Sequence, residues 1–282
     1  MHRERVSENV YWFQSEVYAQ VTAGVVVGPQ WAVAIDTLPI PEETLDMRDF
    51  IERNLNIPIR YVINTHYHAD HSWGNCFFPH ATIIAHRKCR RLLEERGIPS
   101  LERAKQRNPL LDRVEIVLPH ITLEEGELTL RIGKKHLRIL PTPGHSEDGI
   151  SVLVVEDKIL FAGDAFMSIP YIVDGDYDTL VATTKRISHL KLENIIRGHG
   201  DIILRGEIEP AIKENLAYLS AIKKAAKTAT RRRAPFDYLE SVDVEKCGKS
   251  RVCLGGLAES LHQRNLRALY LKIKEEMEAE KK

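Results

Sequence analysis

Within the hexapeptide His66-Tyr67-His68-Ala69-Asp70-His71, three imidazoles and a carboxylate fall inside one turn. Imidazole nitrogen is a good ligand for zinc and divalent iron, and a carboxylate adds an oxygen donor and negative charge. The run Ile59-Arg60-Tyr61-Val62-Ile63-Asn64 just before it reads as a strand. His66 and His68, two apart on extended chain, then point the same way. The turn that follows aims Asp70 and His71 at a neighbouring position. This pattern suits two metals side by side rather than one.

Such a cluster needs closing ligands from elsewhere in the chain. His145 lies in Thr142-Pro143-Gly144-His145-Ser146, Asp164 ends Ile159-Leu160-Phe161-Ala162-Gly163-Asp164, and His199 sits in Ile196-Arg197-Gly198-His199-Gly200. Each terminates a predicted buried strand and follows a glycine, which lets the backbone come close and holds the side chain rigidly. Any one of them alone would read as an ordinary polar turn residue. Their coincidence with the hexapeptide makes them candidate ligands.

With these residues in place, the chain resembles the metallo-β-lactamase-fold superfamily of binuclear metallohydrolases. The signature is an Asp at a strand end, then H-x-H-x-D-H, then a His, an Asp and a final His. It is matched in order by Asp36, His66 to His71, His145, Asp164 and His199, over about residues 9–205. The resemblance implies that His66, His68 and His145 bind one metal and that Asp70, His71 and His199 bind the other. It further implies that Asp164 bridges them, and that Asp36 orients the ligand loop. Two divalent ions are expected, zinc first, with iron or manganese as alternatives. They would share a hydroxide that is already ionised near neutral pH. Asp70, beside that hydroxide, is the expected catalytic residue, holding its orientation and accepting a proton.

The expected reaction is hydrolysis of small ester, thioester or lactone substrates. Phosphodiester hydrolysis, weak β-lactamase activity and a one-iron persulfide dioxygenase are the alternatives. Zinc β-lactamases with a thiolate ligand carry Cys where this chain has Asp164. Glyoxalase II is similar through Thr65 to His71 and Gly163-Asp164, but a different sequence, Phe166-Met167-Ser168-Ile169-Pro170-Tyr171, follows here. Persulfide dioxygenases share the Thr-His-x-His-Ala-Asp-His start but lack an equivalent of His199 between Gly198 and Gly200. The full ligand set favours hydrolysis.

Forty Lys and Arg balance forty Asp and Glu, giving a net charge of +0. That leaves no electrostatic case for nucleic acid or an anionic membrane as partner, and a small-molecule substrate is expected. The run Arg231-Arg232-Arg233 reads as a solvated helix end. No stretch approaches 18 apolar residues, and Met1 to Glu8 is polar, so neither a signal peptide nor a membrane span is expected. Cys76, Cys89, Cys247 and Cys253 lack zinc-finger spacing. A cytoplasmic protein is the resulting expectation.

The elements that must position the ligands follow from periodicity. Residues 10–13, 18–27 and 31–35 read as a strand meander, and Pro41 opens a helix with Glu42 and Glu43 in its first turn. A strand at 82–85 and a basic helix around 86–96 follow the ligand loop. Residues 99–113, polar and weakly periodic, read as a helical insertion or lid near the metal site. The second half begins again with strands over 121–124, 127–132, 136–140, 150–155 and 158–162, then a helix at 177–190. Two half-sheets, each covered by helices, predict an α+β, four-layer αββα sandwich. Residues 1–206 would form this catalytic domain, and 207–282 a helical extension packed on it. The extension's apolar stripes, Ile208, Ile212, Leu216, Leu219 and Ile222, then Leu257, Leu261 and Leu266, serve packing, a homodimer contact or a wall of the cleft. Tyr67, Trp73, Phe166 and Tyr171 are candidates for lining the pocket or for ordinary core packing.

Overall fold

The computed structural model describes residues 1–280 and consists of two β-sheets packed face to face with helices outside them. The first sheet has seven strands in chain order: β1 (His2–Ser7), β2 (Val10–Gln14), β3 (Thr22–Val27), β4 (Ala32–Ile35), β5 (Ile59–Ile63), β6 (Thr82–His86) and β7 (Ile121–Leu123). β1 to β4 form an antiparallel meander, and β4 to β7 run parallel. The second sheet contains β8 (Leu128–Ile132), β9 (Lys135–Pro141), β10 (Ile150–Val154), β11 (Ile159–Gly163), β12 (Asn194–Arg197) and β13 (Ile203–Leu204), in the order 13-12-11-10-9-8. Only β11 and β12 pair in parallel there. The expected four-layer sandwich is the observed architecture.

Period-two alternation explains the layers. Val10, Trp12, Val26, Val33, Ile35 and Ile63 face inward and meet Leu137, Ile139, Val152 and Phe161 of the other sheet. Their neighbours Phe13, Val25, Ala34 and Val62 face outward, onto Met47 and Ile51. β3 is therefore buried along its whole length, as expected of a strand covered on both faces. Each such Val, Leu, Ile or Phe contributes roughly 1.5–3 kcal/mol by leaving water.

Helix α1 (Pro41–Asp49) covers the first sheet and α2 (Ala69–Ser72) carries part of the ligand loop. Helix α3 (Arg87–Leu92) runs through a π turn into α4 (Ile98–Lys105). Next come α5 (Tyr177–Ser188), α6 (Arg205–Ala229), α7 (Pro235–Glu240) and α8 (Ala258–Ala279). Ile208 and Ile212 of α6 pack on the second sheet beside Leu160 and Ile195, whereas Tyr218, Leu219 and Ile222 pack with α8. One helix thus serves both the sandwich and the C-terminal helices. Among the described residues, no helix is long and apolar enough to cross a membrane.

Two local expectations are corrected. Residues 121–123 belong to the first sheet, pairing Ile84 with Ile121 and His86 with Leu123, rather than opening the second half. That pairing is non-local and leaves no mark in the residues themselves. The strand expected from Tyr18 starts only at Thr22, because Ala19 and Gln20 adopt left-handed backbone angles (φ 46° and 51°) that break extended chain.

Candidate metal centre

The ligand loop leaves β5 at Ile63 and is folded back by short polar contacts. Asn64 Nδ2 donates to the His71 carbonyl (3.0 Å) and to Asn75 Oδ1 (3.0 Å). The amides of His71 and Ser72 both donate to the His68 carbonyl, starting α2. Asp36 stands just after β4, buried, with a left-handed φ of 59°. Its Oδ1 accepts from the Thr65 amide (2.7 Å), and its Oδ2 from Thr65 Oγ1 (2.7 Å) and His71 Nδ1 (2.9 Å). One carboxylate thereby fixes both ends of the loop.

Glycines allow the other strand ends to converge. Gly163 has φ +52°, and a Cβ there would meet Thr65 Oγ1 at 2.6 Å. A Cβ on Gly198 would lie 1.8 Å from Asp164 Oδ1, so only glycine permits the His199 loop to reach the centre.

All seven candidate ligands come together, in two groups. Donor atoms of His66, His68, His145 and Asp164 lie within 4.8 Å of one another, as do those of Asp70, His71 and His199. Asp164 faces both: Oδ2 is 3.2 Å from His145 Nε2 and 3.8 Å from His66 Nε2, while Oδ1 is 3.4 Å from His71 Nε2 and 3.6 Å from His199 Nε2. His68 Nδ1 lies 2.9 Å from His66 Nε2 and 3.0 Å from His145 Nε2. Asp70 Oδ2 is 3.3 Å from His199 Nε2. Four donors about 2.0–2.1 Å from a tetrahedral ion would be roughly 3.3–3.4 Å apart, and these separations bracket that value.

The outer nitrogens fix which way the lone pairs point. His68 Nε2 donates to Asp174 Oδ2 (3.2 Å), His145 Nδ1 to the Tyr171 carbonyl (2.9 Å) and His199 Nδ1 to the Ala19 carbonyl (2.9 Å). His71 Nδ1 donates to Asp36, and His66 Nδ1 to Thr65 Oγ1 (3.1 Å), whose own proton goes to Asp36. With their outer nitrogens carrying the proton, neutral His66, His68 and His145 turn bare inner nitrogens toward one another. Bare nitrogens at 2.9–3.0 Å repel unless a cation lies among them. His71 Nε2 and Asp164 Oδ1 are buried and have no hydrogen-bond partner among the described residues. The donor set fits divalent cations.

The electrostatics of the two groups differ. Burial and the neighbouring imidazoles hold His66 well below the ordinary histidine range, and burial pushes His145 down to about 4. Around His71 and His199 burial again opposes charge, but carboxylates outweigh it. Asp164, Asp36 and Asp70 raise His71, and Asp164 with Asp70 raises His199 to about 10. Burial likewise opposes ionisation of Asp164, yet His199, His71 and His145 hold it well below the usual carboxylate range. A neutral nitrogen-rich site therefore adjoins a charge-dense one, where protons take up the negative charge that a cation would otherwise balance.

Of the residues considered for the pocket, Trp73 packs with Phe77, Leu101 and Leu111, and Phe166 packs beneath the second sheet, so both serve the core. The insertion at 99–113 is fastened to Trp73 by that same cluster. Tyr67 gives its hydroxyl to Asp174 (2.5 Å), and the Tyr171 ring lies 6.0 Å from the His145 ring. Sequence reasoning missed Tyr18, half-exposed, whose phenol the Asp70 carboxylate and burial push up to about 12. It also missed Asp174 and the carbonyls of Ala19 and Tyr171, which no spacing rule marks.

Comparison with known proteins identifies the family. The chain is 26% identical over 231 residues to the acyl-coenzyme A thioesterase MBLAC2 of Bos taurus, covering 69% of this chain and 79% of that one. It is 28% identical over 182 residues to the thioesterase pkgB of Emericella nidulans, covering 62% of this chain and 41% of that protein, so it spans under half of pkgB's length. The structure of a metallo-beta-lactamase family protein from Thermus thermophilus superposes with a TM-score of 0.71 at 17% identity, covering 95% of this chain and 94% of that one. The family model for the metallo-beta-lactamase superfamily matches residues 18–225, and the chain belongs to that superfamily.

Proposed function

We propose that this chain is a binuclear metal-dependent hydrolase of thioesters. The observation that carries the reading is Asp164, whose two oxygens each face one group of inward-turned imidazoles. The thioesterase names borne by MBLAC2 and pkgB support the choice of thioesters over lactones or other esters. His66, His68 and His145 would hold one ion, Asp70, His71 and His199 the other, with Asp164 shared. Two zinc ions held there would supply an ionised water at neutral pH and polarise the scissile carbonyl.

The chain's own groups do the rest. Asp70, whose side chain is 16% exposed against 5% for Asp164, is the residue we assign to orienting the attacking water and taking its proton. Asp36, Asp174, Thr65 and the carbonyls of Ala19 and Tyr171 hold each imidazole in the tautomer that keeps its inner nitrogen bare. Activity should fall in acid, because the inner nitrogens must lose their ions to accept protons.

The test is anaerobic hydrolysis of an acyl thioester by zinc-loaded protein. Turnover without oxygen that disappears in Asp164→Ala is expected. Oxygen-dependent turnover of a persulfide, with no thioester, ester or lactone cleaved, would contradict the proposal.

A further inference from the structure

The outer bond of His68 ends on a network that reaches the helix outside the sandwich. Asp174 Oδ2 accepts from His68 Nε2 (3.2 Å) and from the Tyr67 hydroxyl (2.5 Å), and Asp174 Oδ1 accepts from Arg96 Nη1 (2.8 Å). Arg96 sits in the π turn Leu93–Gly97 between α3 and α4. On the same helix, Arg87 and Arg91 pair with the exposed Glu124 and Glu147. Arg96 instead reaches back to the loop between β11 and α5, which holds two ligand imidazoles.

His68 needs such a network more than its fellow ligands do. Its side chain is 24% exposed, against 2% for His66 and 4% for His145, so burial alone does not fix its ring. Asp174 is itself only half-buried, and the terminal torsion of an aspartate is broad. Held on one oxygen, its carboxylate would be free to turn toward water and leave His68 Nε2. With Arg96 on Oδ1, and Tyr67 beside His68 on Oδ2, both oxygens are fixed. The Tyr67 ring is itself held in place. It packs with Ala85, Cys89 and Leu93 and lies 4.6 Å from the His68 ring. Exposed ion pairs contribute little to stability, so the bond from the exposed Arg96 orients Asp174 rather than holding the fold.

We propose that Arg96 and Tyr67 are positioning residues for the metal ligand His68, acting through Asp174. The helix outside the sandwich thereby sets how firmly the group of His66, His68 and His145 holds its ion. This rests on the binuclear reading above and is independent of the substrate.

Chelator competition on zinc-loaded protein tests it, with Asp174→Asn marking which ion belongs to this group. Arg96→Gln should weaken that ion about tenfold, the lower end of what losing an outer partner of a ligand costs, and leave the other ion unchanged. Tyr67→Phe, which keeps the ring and loses the hydroxyl, should do the same, and Arg96→Lys should restore part of the affinity. Because both residues act through one carboxylate, neither change should weaken the ion further in the Asp174→Asn protein. Melting temperatures should stay close to that of the unaltered chain. Unchanged affinity in either Arg96→Gln or Tyr67→Phe, equal weakening of both ions, or effects that add in full to Asp174→Asn would overturn the assignment. If the unaltered protein holds fewer than two ions, the binuclear reading fails separately. Proton NMR of the metal-free protein then decides the positioning. A His68 Nε2 proton sheltered from exchange and lost in both variants supports it. A proton unsheltered in the unaltered chain, or still sheltered in either variant, rejects it.

Discussion

The two ligand groups are anchored in different parts of the molecule. His71 and His199 donate their outer hydrogen bonds to Asp36, at the end of β4, and to the Ala19 carbonyl, in the turn before β3. Both anchors belong to the first sheet. His68 and His145 instead lean on Asp174 and the Tyr171 carbonyl, in the loop between β11 and α5. That loop is fastened by α8: Asn265 Nδ2 donates to the Pro170 carbonyl (2.7 Å), and its Oδ1 accepts from the Ile172 amide (3.0 Å). These bonds flank Tyr171 on both sides. The sandwich thus holds His71 and His199, and His66 through Thr65 and Asp36, whereas His68 and His145 depend on a helix almost a hundred residues further along the chain.

Asp164→Ala breaks the comparison entirely, because one oxygen of Asp164 faces each group. Hydrolysis should fall on the order of 10³-fold or more, measured as kcat/KM on a zinc-loaded sample. A residual rate within tenfold of the unaltered enzyme would argue against a shared carboxylate.

Weakening each half separately sharpens it. Asp174→Asn should reduce affinity for the ion held by His66, His68 and His145 by about 10–100-fold and leave the other ion in place, as chelator competition would report. Asn265→Ala acts at longer range on the same half. It strips the partners of two buried backbone groups, at a cost of about 1–3 kcal/mol each, and should lower the melting temperature while weakening the same ion. If Asn265→Ala weakened both ions equally, the separate anchoring of the halves would be wrong.

The smallest expected effect is at Asp176, which caps α5 by accepting from the Thr179 amide (2.8 Å) and pairs with Lys272 of α8. Asp176→Ala should cost about 1 kcal/mol of stability. The Lys272 ammonium and the Thr179 donors hold the folded carboxyl down at about 2, against an ordinary value of 3.8. Since the folded value is depressed, its stabilisation is present above the ordinary value and fades as pH falls from about 4 toward 2. Denaturation curves of both proteins should therefore differ at pH 7 and converge near pH 2.

Much of the candidate centre was legible in the sequence, because a hexapeptide with four donors and three glycine-preceded strand ends carry their chemistry in local spacing. The sandwich was legible for the same kind of reason, since period-two strands and amphipathic helices are local patterns. What escaped was non-local. β7 reads as a strand but its partner β6 can be known only in space. Ala19 and Tyr171 act through main-chain carbonyls, which every residue has. The face of α8 that matters was masked by its own polarity: an apolar stripe pointed to Leu266, whereas the buried contacts to the site loop run through Asn265, with His262 bonded to Tyr218 (3.1 Å) beside it.

The central claim is that two ions share Asp164, and counting them tests it most directly. Zinc-replete protein, freed of loosely bound ions, should contain close to two per chain by elemental analysis, and His199→Ala should retain close to one. Saturation of the unaltered protein at one ion per chain, with no change in His199→Ala, would contradict the account.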